Sequence, residues 1–203
     1  TPVRFRPQPQ HKINDLEEIK VKSVESGVSE AISLLKSSIS QDSSLSLALT
    51  GGVFGESFTK ALASEDLNLS NISISQTDER FVNSKDESSI QKKIKFIFRK
   101  KLLNKENFLF FDTSEKVSRC FNSMEKALLK KNILKFNFVV LSLGEDGHLA
   151  GQFSTSTFLD NRMFCYTLNS PKLPKKRVSF TIEWLFEADL IVLAAIGREK
   201  EKS

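Results

Sequence analysis

The segment Phe138-Val139-Val140-Leu141-Ser142-Leu143 is apolar at all but one position. An extended segment of that kind needs cover on both faces, which places it at the centre of a parallel sheet and not in a half-exposed hairpin. The rest of the chain supplies the matching parts. Residues 45–49, 72–75, 108–111, 136–143, 163–168 and 190–196 read as strands, and residues 88–103 and 117–131 as helices between them. Upstream, Leu16, Ile19, Val24, Val28, Ala31, Ile32, Leu35 and Ile39 recur at helical intervals and predict a long helix over residues 13–39, broken near Gly27. Strands alternating with helices of this length predict an α/β fold, a mainly parallel sheet with helices on both faces. In such sheets ligands collect outside the carboxyl ends of the strands.

A length of 203 residues predicts one domain over residues 1–203, with residues 1–12, carrying Pro2, Pro7 and Pro9, as an irregular arm. Hydrophobic residues at 39% and charged ones at 27% exclude the disordered, collagen-like and membrane-spanning classes. The longest apolar runs fall far short of the roughly 20 residues of a membrane helix, so no membrane partner is expected. Cys120 and Cys165 have no Cys or His at metal-ligand spacing, which argues against a zinc site or disulfide framework and for a reducing cytoplasm. The net charge of +5 favours anionic partners without naming one.

Several segments just past expected strands are rich in glycine or charge. In Thr50-Gly51-Gly52-Val53-Phe54-Gly55 the adjacent glycines let backbone N–H groups approach an anion at a helix start. The segment is neither a Walker A loop nor a G-x-G-x-x-G fingerprint, and a plain turn accounts for it equally well. Asp78-Glu79-Arg80, taken alone, reads as a solvated loop with a surface ion pair. Gly144-Glu145-Asp146-Gly147-His148 follows the most apolar strand and brings together the parts of a histidine base held by an acid beside accessible backbone donors. The other histidine, His11, lies in the proline-rich arm, so a histidine base here is His148. The plainer alternative is that His148 caps the next segment or packs on Phe153. No G-x-S-x-G elbow occurs, which favours water over serine as a nucleophile. Ser170-Pro171-Lys172-Leu173-Pro174-Lys175-Lys176-Arg177 reads as a rigid basic loop, and Gly197-Arg198-Glu199-Lys200 repeats the glycine-then-helix pattern.

Taken in order, these segments resemble the 6-phosphogluconolactonase family over about residues 46–200. Thr50-Gly51-Gly52 is similar to that family's Ser-Gly-Gly loop, and Asp78-Glu79-Arg80-Phe81-Val82 to its Asp-Glu-Arg-x-Val motif. The segment from Gly144 through His148 to Phe153 resembles its Asp-Gly-His signature, the most specific of the set. Ser170-Pro171-Lys172, with Arg177 and Thr181, resembles its Ser-Pro-Lys-Pro stretch, and Gly197 with Lys200 its Gly-x-x-Lys. The resemblance implies a Rossmann-like fold shared with glucosamine-6-phosphate isomerase/deaminases, and cytoplasmic hydrolysis of 6-phosphoglucono-δ-lactone without a cofactor or metal. It implies His148 as base on water, with Asp146 helping to position substrate or imidazole. Arg80, Arg177 and Lys200 become phosphate partners, Gly51 and Gly52 backbone donors, and Thr50, Asp78, Gly147 and Lys172 further contacts. The partner implied is a small sugar-phosphate lactone, with the chain a monomer or weak homo-oligomer. The family also continues beyond Lys200 through a terminal helix, expected to be missing from these 203 residues.

Departures accompany the likeness. Val53-Phe54 stands where Ser/Thr-Pro is usual, Leu149 replaces Thr, Gln152 an apolar residue and Ile90 an Asn. They spare the base and the cations, so retuned binding is expected before loss of chemistry. Rival readings are an amino-sugar-phosphate isomerase/deaminase and an inactive phosphosugar-binding protein. A nucleic-acid partner using Lys92, Lys93, Lys95, Arg99, Lys100, Lys101 and Lys105 is not expected, because Ile94, Ile97, Phe98 and Leu102 interleave them as a buried stripe and leave the lysines to solvent.

Overall fold

A computed structural model describes residues 19–38, 44–67, 71–101, 103–153, 158–160 and 162–196. Its centre is a sheet of β1 (Leu45–Leu49), β2 (Ile72–Gln76), β4 (Phe108–Leu109), β5 (Phe138–Ser142) and β9 (Leu190–Ala194), in the order β4-β2-β1-β5-β9 and parallel throughout. Phe138 pairs with Leu47 on one side and Leu190 on the other, so the apolar β5 is interior, as its composition requires. The connections run outward from β1 in both directions, which puts a topological switch point between β1 and β5.

Side-chain alternation divides the core. Leu47, Leu49, Ile74, Phe138 and Val140 meet α1 (Val24–Ser38), α2 (Gly52–Ser64) and α3 (Ile90–Ile97), with Phe58 stacked on Phe138 at 6.0 Å between centroids. Ala48, Val139 and Leu141 face the other way, toward α4 (Val117–Lys130). Helices share that second face with an antiparallel sheet in the order β3-β8-β7-β6, built from β3 (Asp78–Arg80), β6 (Phe158–Asp160), β7 (Phe164–Thr167) and β8 (Arg177–Phe180), and with the short α5 (Ile182–Leu185). Phe164, Phe180 and Trp184 form its aromatic centre.

Several sequence expectations change in detail. Asp78-Glu79-Arg80 is a strand, not a loop. Only Thr77 separates it from β2, and this residue bonds both sheets, its N–H donating to Leu49 at 3.0 Å and its carbonyl accepting from Phe180 at 3.1 Å. α1 begins at Val24 behind the Ser23 hydroxyl, which accepts from the Ser26 N–H at 3.2 Å. Gly27 lies inside this helix without breaking it, where Val21 and Phe54 pack close against its backbone. Residues 13–18 of the expected helix lie outside the described residues. The helix expected over residues 88–103 ends at Ile97 and gives way to a 3₁₀ turn at Phe98–Lys100, while β4 stops at Leu109. No helix among the described residues is long and apolar enough to cross a membrane.

Candidate active site

A cleft of about 460 Å³ opens at the carboxyl ends of β1 and β5, at the switch point, and the segments from Thr50, Asp78 and Gly144 line it together. After β1 the chain passes through Thr50 and Gly51 into Gly52, whose φ of +77° is the left-handed value that glycine adopts without strain. Gly51 caps α2 with no side-chain hydrogen bond, which leaves the first-turn N–H groups of the helix at the cleft. A Cβ on Gly55 would collide with the Thr50 carbonyl, so its absence lets α2 start directly over the strand end.

Residues 144–148 form a closed turn. The Gly144 N–H donates to the His148 carbonyl at 2.9 Å and the Gly147 N–H to the Gly144 carbonyl at 3.1 Å, with Gly147 at φ +76°. The His148 ring folds back over Gly144, pairs through Nδ1 with Asp146 Oδ1, and stacks on Phe153 at 4.2 Å between centroids. Pairing with Asp146 and packing on Phe153, alternatives at the level of sequence, hold together. Partial burial pushes the Asp146 carboxyl up, but the His148 hydrogen bond and charge, a backbone hydrogen bond and Lys172 outweigh it and keep the group below the usual carboxylate range. Ionised, Asp146 only accepts. Nδ1 is therefore the donor, assigned from this network, and Nε2 is the basic nitrogen. The next turn is tied to the second sheet. Gly151 donates to Ser179 Oγ at 3.2 Å and accepts from Thr167 Oγ1 at 2.6 Å, while Gln152 Nε2 donates to the Phe180 carbonyl at 3.3 Å.

The strand geometry of β3 divides the Asp-Glu-Arg triplet. Asp78 and Arg80 point to the cleft, and Glu79 points to the other face. There the Glu79 carboxylate accepts from the N–H groups of Arg80 (2.7 Å), Ile90 (2.8 Å) and Gln91 (2.7 Å) and from Ser89 Oγ (3.2 Å), capping the start of α3. Burial pushes Glu79 up, against these backbone hydrogen bonds. Asp78, also buried, is pushed up by desolvation against the charges of Arg80, Arg177 and His148 and a hydrogen bond from Thr77. Arg80 and Arg177 are paired across the β3–β8 ladder. Arg80 donates through Nη1 to the Ser88 carbonyl at 2.6 Å, and Arg177 through Nη2 to the carbonyls of Lys172 and Leu173, both at 3.4 Å. Burial, then the Arg80 charge, pulls the Arg177 guanidinium down to about 10, against Asp78 and Glu79. Arg80 Nε and Arg177 Nη1 are buried, and no group among the described residues accepts from them.

Of the residues expected from sequence, Thr50, Gly51, Gly52, Asp78, Arg80, His148 and Lys172 line the cleft. Asp146 reaches it through His148, Gly147 supplies the turn, and Arg177, the cross-strand partner of Arg80, is not among the residues that line the cleft. Lys200 and Gly197 lie outside the described residues. Among the described residues no cluster of His, Cys, Asp and Glu has the makings of a metal site. Sequence reasoning missed the cap by Glu79. Its one signal was the alternation of a strand, which a three-residue segment is too short to display.

The family described as glucosamine-6-phosphate isomerases/6-phosphogluconolactonase matches residues 20–203 of this sequence. The chain belongs to that family. It is similar to the 6-phosphogluconolactonase of Borreliella burgdorferi, with 27% identity over 80% of this chain and 72% of the relative. The glucosamine-6-phosphate deaminase of Streptococcus uberis is 29% identical over 90% of this chain and 82% of the relative. Across such relatives the chain spans from 62% to 82% of their own length. The crystal structure of the 6-phosphogluconolactonase of Thermotoga maritima shares the fold, with a TM-score of 0.79, 22% identity and coverage of 88% of this chain and 82% of that one.

Within the isomerase/lactonase family the departures of this chain have structural counterparts. Phe54 is buried among α1, α2 and the sheet, against Gly27. Ile90 packs on Gly51 and fills the wall between the glycine turn and α3. Gln152 fastens the histidine turn to β8. Val53 is 72% exposed at the cleft and adds no polar atom beyond its backbone.

Proposed function

We propose that this chain opens 6-phospho-D-glucono-1,5-lactone to 6-phospho-D-gluconate, with water as nucleophile and His148 as general base. The observation that carries the reading is the pair of buried guanidinium N–H groups, Arg80 Nε and Arg177 Nη1, without an acceptor among the described residues, on ladder neighbours of which Arg80 lines the cleft with His148. Buried donors without partners are rare and costly, and two on adjacent like charges call for an anion. A phosphate dianion supplies acceptor oxygens for both and relieves their repulsion. Lys172 at the cleft mouth, and Lys200 beyond the described residues, are further cations for it.

With the phosphate held there, His148 Nε2 takes a proton from water as its oxygen bonds to the lactone carbonyl carbon. The developing oxyanion accepts from backbone N–H groups at Gly51 and Gly52, beside Thr50. On collapse the ring C–O bond breaks and the leaving oxygen takes the proton back from His148, so the base is regenerated without cofactor or metal. Asp146 keeps the imidazole in its Nδ1–H tautomer and stabilises the transient imidazolium. Asp78 and Gly147 shape the wall around the sugar.

The test is lactone hydrolysis against the spontaneous rate. His148→Ala is expected to lose about 10²- to 10⁴-fold in kcat, and Arg80→Ala to raise KM strongly. A His148→Ala enzyme as fast as wild type removes the base from the mechanism. A second reading, an isomerase/deaminase acting on glucosamine 6-phosphate, draws on the likeness to the Streptococcus deaminase and on the buried Asp78 carboxyl at the cleft. Ammonia release from that sugar, without faster lactone opening, would establish it instead.

A further inference from the structure

Lys172 is already engaged within the cleft. Its Nζ lies 3.3 Å from Glu145 Oε2, and both side chains line the same space as His148 and Arg80. Glu145 belongs to the turn after β5 and Lys172 to the loop before β8, so the pair spans the cleft between two separate segments. The other cations described in the site are anchored differently. Arg80 and Arg177 donate to backbone carbonyls, which an anion does not displace by charge. Glu145 is a carboxylate, and any anionic group approaching Lys172 competes with it directly.

We propose that Glu145 is an internal competitor for the phosphate: it holds Lys172 in the resting cleft, and an incoming dianion has to take the ammonium from it. This rests on the phosphosugar reading above and deepens it. Glu145 thereby sets substrate selectivity, because a dianionic phosphate outbids one carboxylate while a neutral hydroxyl does not. The pair is well exposed, with side chains 51% and 75% accessible, so its effect is modest, roughly two- to fivefold in affinity.

Glu145→Gln is expected to lower KM for the phosphorylated lactone about two- to fivefold, with the change falling in KM rather than kcat. Lys172→Met raises KM, and in that background Glu145→Gln has no further effect, since the competitor has lost its object. Calorimetric titration with 6-phosphogluconate gives the same ordering without turnover. A KM for Glu145→Gln that is unchanged or raised overturns the inference. So does a gain that survives in the Lys172→Met background, which would mean that Glu145 acts on the ligand by simple repulsion. Both outcomes leave the phosphosugar reading standing. Wild-type protein that neither accelerates lactone opening nor binds 6-phosphogluconate refutes that reading and this one together.

Discussion

Adding one methyl group at Gly144 tests the positioning of the base without touching the base. A Cβ at this position would lie closer to His148 Nδ1 and Cε1 than the 3.0 Å below which real Cβ contacts essentially never fall, and 2.8 Å from Asp146 Oδ1. Restoring an ordinary contact of roughly 3.5–4.0 Å moves the ring by about 1 Å or more. The ring is stacked on Phe153, so the movement disturbs that packing as well as the Asp146 bond. A displacement of about 1 Å in a reacting group costs about 10²-fold in rate, or about 2.7 kcal/mol of barrier. Gly144→Ala is therefore expected to lower kcat for the lactone about 100-fold, measured by pH-stat with spontaneous opening subtracted. KM stays near wild type, because Arg80 and Arg177 are held by β3 and β8. Retained affinity for 6-phosphogluconate separates mispositioning from misfolding. A kcat within threefold of wild type, with the imidazole still bonded to Asp146 by NMR, would sink this account of Gly144.

Two predictions concern stability. Glu79→Gln places an amide NH₂ where N–H groups need an acceptor, so unfolding free energy is expected to drop by about 1–3 kcal/mol, a Tm loss of about 2–4 °C per kcal/mol. Because the Glu79 carboxyl is pushed up, it takes up a proton in the native state at a higher pH than in the unfolded chain. The native state therefore gains stability relative to the Gln variant as pH falls through that raised value, so the gap is smallest at neutral pH and widens on acidification, and urea titrations at several pH values that give a constant gap would refute it. Gln76 is fully buried with neither amide atom partnered among the described residues, so the near-isosteric Gln76→Met is expected to stabilise by about 1–3 kcal/mol. A lower Tm would show that the amide has a bonding role.

Much of the parallel sheet was legible because its strands carry apolar runs, as in β5 and β9, or short apolar alternation, as in β1 and β2. The placement of Thr50, Gly51, Gly52 and His148 at strand carboxyl ends followed, whereas the strand order that makes this a switch point did not. The second sheet was harder to read. β3 is three charged residues, and its strand character comes from pairing with β8, nearly a hundred positions away in sequence, not from local propensity. The same long-range pairing brings Arg177 beside Arg80. Tertiary contact also decided Gly27, where close packing by Phe54 keeps a helix that propensity alone would interrupt. The Glu145–Lys172 contact joins loops whose approach no local pattern encodes.

The Asp-Glu-Arg triplet looks like a single motif in a sequence, yet its members do different physical work. Asp78 and Arg80 face the cleft, while Glu79 holds the start of α3 whether or not the cleft is occupied. Replacing either outer residue leaves the cap on α3 in place, whereas replacing the middle one removes the cap and leaves the pair at the cleft. A motif contiguous in sequence is thus two separable devices, one turned to the cleft and one to the helix behind it, and a change at one position need not disturb the other.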